Sequence, residues 1–207
     1  MKVYIQGSDY ANYDVFDQDP NVRANIAKAT DDIELLEIYS QDPKEYVRAA
    51  VAANKYTPIE VYQNLSVDPS FYVRAELACN RAVPPAILQS MYDAIIGVQY
   101  NLADDAIYGG GDGPEAPEYL WWLIGNIAAN PNTPERVLRD FATAAHWGPR
   151  AKVASNPSTP TDVLDYLSNT DTDEDVLNNI TVNPSAPEYV IKQAEERLSQ
   201  LFGYRFT

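Results

Sequence analysis

Apolar positions along the chain fall into short segments with a helical period, and the order of segments repeats. Val47-Arg48-Ala49 is followed by Asn54, Thr57-Pro58, Val61-Tyr62 and Leu65. The same order returns as Val73-Arg74-Ala75, Asn80, Val83-Pro84, Ile87-Leu88 and Met91. It returns again from Ile124-Gly125 through Asn130-Pro131, Thr133-Pro134 and Val137-Leu138 to Phe141. A further copy runs from Arg150-Ala151 through Asn156-Pro157, Thr159-Pro160 and Val163-Leu164 to Leu167. A worn copy links Leu177, Asn183-Pro184, Ala186-Pro187, Val190-Ile191 and Ala194. Upstream, Val22-Arg23-Ala24, Asp31-Asp32, Leu35-Leu36 and Tyr39 fit with one residue deleted. A fixed period of this length is the signature of a repeat array.

Each unit predicts two short helices. Three residues after the arginine position stand Ile26, Val51, Leu77, Ile127, Val153 and Ile180, and most of them precede a small residue such as Ala52 or Ala78. Bulky beside small on one helical stripe lets a neighbouring helix approach closely. The asparagine is expected to end the first helix in a left-handed turn. Asp42-Pro43 and Asp68-Pro69 read as N-caps with proline at the first helical position, and Thr-Pro is expected to open the second helix in the same way. The expected architecture is all-α: an α-solenoid of about six two-helix repeats. Its repeat asparagines, at 54, 80, 130, 156 and 183, are spaced 26, 50, 26 and 27 residues apart, so the long interval holds an insertion or a decayed repeat. The expected segments are a cap at 1–16, repeats at 17–92, an acidic glycine-rich insertion at 93–117, repeats at 118–198 and a tail at 199–207, all one continuous domain.

The stretches VRAAVAAN at 47–54 and NPNTPERVL at 130–138 resemble the leucine-rich repeat variant, a relative of HEAT repeats. The resemblance covers roughly residues 17–92 and 118–198, and it implies a stack of paired short helices without specifying a function. Some members of that family carry a cysteine-rich metal-cluster segment. With Cys79 as its only cysteine the chain does not match that segment, and no cofactor is expected.

Charge narrows the function. Thirty acids against fifteen bases leave a net charge of −15. This argues against binding nucleic acid by neutralising phosphates and against docking on anionic lipid. No apolar run is long enough to span a membrane, and the expected location is the cytoplasm. Asp171, Asp173 and Asp175 open like a calcium loop, but Val176 and Val182 stand where glycine and a bidentate glutamate belong. Favourable charge at a helix start explains them better. The loop Gly109–Gly113 lacks the Gly-Lys-Ser/Thr ending of a phosphate-binding loop. His146 and Cys79 have no orienting third group in the repeat frame, so nucleophilic catalysis is not expected.

Two ladders remain. Arg23, Arg48, Arg74 and Arg150 share one repeat position, and Asp42 and Asp68 lie one short helix away, so inter-repeat ion pairing is expected. Tyr46, Tyr72 and Trp122 stand two residues before the arginine position, Phe71 and Trp121 three before, with Trp147 close by. Aromatics are enriched where partners bind. The leading expectation is therefore a non-enzymatic scaffold or adaptor that binds another protein through these rings. The alternative is an acidic nucleic-acid mimic, like inhibitors found among bacteriophage counter-defence proteins, with Asp104, Asp105, Asp112 and Glu115 on its acidic surface. A DNA glycosylase built on HEAT-like repeats would need a basic face that this charge balance contradicts.

Overall fold

The computed structural model describes residues 19–97 and 118–205, with side chains described from Trp122 onward in the second stretch. Among these residues there are twelve α-helices and no strand. The first helices of the repeats are α1 (Pro20–Ala29), α3 (Glu45–Ala53), α5 (Phe71–Cys79), α7 (Glu118–Ala129), α9 (Trp147–Ser155) and α11 (Glu174–Thr181). The second helices are α2 (Ile33–Tyr39), α4 (Ile59–Leu65), α6 (Pro85–Gly97), α8 (Glu135–Ala142), α10 (Thr161–Thr170) and α12 (Glu188–Phe202). The cap expected at 1–16 and the acids Asp104, Asp105, Asp112 and Glu115 lie outside the described residues.

First helices pack one on the next, from α1 to α11, while successive second helices are set further apart until α10 meets α12. A stack whose one layer is closer than the other curves, with the closer layer inside. The close approach has a plain cause. Ala27, Ala52, Ala78, Ala128 and Ala154 are all fully buried, each beside a buried Ile, Val or Leu. The contact between α5 and α7 is as intimate as any other. The stack of first helices therefore continues from α5 to α7 across the interval of 50.

The repeat asparagines tie this layer together. Each Nδ2 donates to two carbonyls of the preceding repeat: Asn80 to Ala52 (2.9 Å) and Asn54 (3.1 Å), Asn156 to Ala128 (2.8 Å) and Asn130 (2.9 Å). Asn54, Asn130 and Asn183 repeat the pattern. Each Oδ1 accepts the N–H two residues on, as from Ser158 at 2.8 Å. The expected left-handed turn is not there. Asn54 has φ −80° and ψ 128°, and Asn80 and Asn156 are similarly extended. The side chain, rather than a backbone turn, ends the helix and closes the carbonyls of its neighbour. A left-handed cap does occur at Gly203, with φ 75°, where α12 ends.

The expected caps are corrected likewise. Helices α3 and α5 begin at Glu45 and Phe71, two residues after Pro43 and Pro69. Asp42 and Asp68 precede them and accept the N–H of Lys44 and Ser70, each at 2.9 Å. Their carboxylates are taken by the arginine ladder. Arg23 pairs with Asp42 (2.5 and 3.1 Å), Arg48 with Asp68 (2.7 and 2.9 Å) and Arg150 with Asp171 (2.6 and 3.0 Å). The expected ion pairs are present at these three rungs, each a bidentate fork. Thr57 and Thr159 do not cap the second helices either. Their hydroxyls donate back to Val51 and Val153 at 2.7 and 2.6 Å, and the prolines flank the helix start.

Burial alone would push the Asp42 carboxyl up, but the Arg23 fork and the Lys44 N–H outweigh it and hold it below the usual range. A depressed carboxyl stabilises the fold above its unfolded pKa of about 3.9, and that stability is lost as pH falls through the lower folded value. Asp42→Asn is expected to flatten the acid limb of the thermal midpoint below about pH 4 relative to the parent chain. An unchanged limb would mean that the pair carries no proton linkage.

Candidate functional site

The solvent face of the inner layer follows from helical spacing. On α3 it carries Tyr46, Ala50 and Ala53, and on α5 Tyr72, Glu76 and Cys79. On α7 it carries Trp122, Asn126 and Ala129, on α9 Gly148, Lys152 and Ser155, and on α11 Asp175 and Asn179. Every one of these is half-buried or exposed. Charges act across this face over two repeats. Lys28 on α1 is felt at Glu76, and Lys152 on α9 at Cys79. Cys79 keeps solvent access, yet the surrounding wall and then Glu76 push its thiol up, against the pull of Lys152. A thiol held protonated is a poor nucleophile.

Tyr46 and Tyr72 are half-buried on this face and Trp122 is 43% exposed. Tyr72 and Trp122 stack at 5.8 Å and 25°, bridging the junction that the insertion interrupts in sequence. Phe71 is half-buried under the Arg74 guanidinium, which lies 4.1 Å from its ring centroid. The side chain of Trp121 lies outside the described ones. Trp147, 43% exposed, stacks on His146 at 5.5 Å and 27°. His146 is the N-cap of α9 and its Nδ1 accepts the Gly148 N–H at 3.0 Å. Asp173 caps α11 by accepting from Asp175 and Val176, the expected helix-start role, whereas Asp171 ends α10 and pairs with Arg150 instead. No group of three or more metal-ligating side chains occurs among the described residues.

Beyond Trp122 the aromatic row stops and a cavity of about 450 Å³ opens between α7, α9 and α11. Its floor is Ile124, Gly125, Pro149 and Ala151, its wall is His146 and Trp147, and its rim is Lys152, Asp175 and Asn179. The lining is mostly apolar with a few polar groups, which is the make-up of ligand pockets. The sequence reading found Trp147 but missed the cavity. The legible signal is glycine at two repeat positions, one on the inner face and one in the buried row beneath it. Gly148 stands where other repeats place Tyr46, Tyr72 and Trp122, and Gly125 where they place Ala49, Ala75 and Ala151.

Stacked helix pairs, closed end to end by side-chain hydrogen bonds and curved around a pocketed inner face, define an α-solenoid of helical repeats. Residues 125–184 match the family model of the Leucine Rich Repeat Variant domain. No curated protein and no solved structure matches the chain. The repeat domain suggests a protein-interaction scaffold and fits a non-enzymatic one. Among the described residues no helix is long and apolar enough to cross a membrane.

Proposed function

We propose that this chain is a non-enzymatic adaptor that binds another protein on its concave inner face. The observation that carries the reading is the continuity of that face. The ring row Tyr46, Tyr72 and Trp122 runs directly into the cavity beside Trp147, so apolar surface is offered along several repeats. Large rings at the centre of a concave surface bury much area at small entropic cost. The second helices also expose Ile33, Ile59, Tyr166 and Tyr189, but each stands on a different helix, among solvated charge pairs such as Arg139 with Glu135 and Asp162, which contribute little.

The test is capture of the partner from native lysate, its identification by mass spectrometry, and titration of the purified pair. Trp122→Ala and Trp147→Ala are each expected to weaken binding roughly 30-fold, the effect of a hot-spot residue. Full affinity in both variants would end this reading.

A further inference from the structure

Gly125 sits in the body of α7, where glycine costs about 1 kcal/mol relative to alanine. Among the described residues no contact explains it: a Cβ built there would meet none of their atoms within 4 Å, and the position lines the cavity. Gly148 is different, since its Cβ would come within 3.2 Å of the His146 ring and the cap geometry accounts for it. The rim adds a second observation. Lys152 and Asp175 both line the cavity, yet neither forms an ion pair or side-chain hydrogen bond among the described residues. Asn179, also in the lining, donates its Nδ2 to the Ala151 carbonyl at 3.1 Å, which leaves its Oδ1 as an acceptor.

We propose that this cavity is a socket for one large apolar side chain of an extended partner segment, seated over Gly125 against Trp147. The same segment carries a basic side chain to Asp175 and an acidic one to Lys152, and its backbone N–H meets Asn179. The proposal rests on the protein-binding reading and specifies what the partner presents. Charge complementarity selects a segment with both signs around an apolar centre. A uniformly basic or acidic segment would leave one rim charge opposed by its like. The volume, about 450 Å³, suits a ring with its flanking backbone better than a methyl-sized side chain.

A phage-displayed library of random linear peptides panned on the intact chain tests this. Selected sequences are expected to share a large apolar residue flanked by one basic and one acidic residue. Gly125→Leu fills the cavity and is expected to weaken the synthesised peptide at least about tenfold, with an unchanged or higher thermal midpoint. Gly125→Ala keeps the test valid should leucine disturb α7, with a smaller loss in the same direction. Asp175→Lys should exchange the basic preference for an acidic one. Peptides that bind both Gly125 variants as they bind the parent overturn the socket, as does a library that yields none. Neither result touches the partner-capture experiment, whose outcome turns on Trp122 and Trp147.

Discussion

Asn156→Val is expected to destabilise the fold by about 3 kcal/mol or more, lowering the thermal midpoint without altering helix content below the transition. Asn156 is 1% exposed and satisfies three backbone groups: the carbonyls of Ala128 and Asn130 and the N–H of Ser158. Valine leaves the Ala128 carbonyl and the Ser158 N–H without this partner and the Asn130 carbonyl with the Thr133 N–H alone, and an orphaned buried group costs about 1–3 kcal/mol. The backbone there is extended at φ −74°, which valine accepts readily, so the loss arises from hydrogen bonding alone. A cost below about 1 kcal/mol would show that water or relaxation replaces the ladder. Ser185→Ala is a useful contrast. It removes an exposed hydroxyl bonded to Pro157, and a change of no more than about 0.5 kcal/mol is expected.

The second large effect is expected at the arginine ladder. Arg48→Ala leaves the Asp68 side chain, 6% exposed, without its guanidinium, and should cost about 3 kcal/mol. Asp68→Ala should cost as much, because Arg48 is left largely buried at 15% side-chain exposure and the Ser70 N–H loses its acceptor. The double variant should cost clearly less than the sum, with a coupling of about 1–3 kcal/mol. Strict additivity in denaturant titrations would mean the two side chains act separately. Smaller and opposite in sign, Gly125→Ala should stabilise by about 0.5–1 kcal/mol, since a helical glycine is replaced where its Cβ meets open space. A fall in the thermal midpoint would place that Cβ against something the cavity does not contain.

Architecture was legible in the sequence because each repeat writes its core in the same places. The alternation of Val51 with Ala52, or Ile127 with Ala128, is visible as letters and is the helix contact itself. Two arginine–aspartate rungs were legible too, since Asp42 and Asp68 follow Arg23 and Arg48 by 19 and 20 residues, whereas the pairing of Arg150 with Asp171 was not. The asparagines were found but misread. A residue after a helix suggests a left-handed turn by local rules, whereas its carbonyl partners lie 24 to 29 residues earlier, or 50 to 52 for Asn130, and appear only when repeats stack. The same holds for Thr57 and Thr159, which point backward to the helix they follow instead of forward to the one they precede. The cavity escaped notice because it is made by what is missing. Gly125 and Gly148 carry no chemistry of their own, and their meaning depends on facing one another across α7 and α9.

Partner affinity in concave-face and acid variants measured side by side tests the central claim most directly. For the captured partner, Trp122→Ala and Trp147→Ala should each weaken binding roughly 30-fold with little change as salt rises. Neutralising Asp104, Asp105, Asp112 and Glu115 together should change it less than about threefold. If the four-acid variant instead loses the partner, steeply with salt, while both tryptophan variants keep theirs, the concave face is not the binding surface.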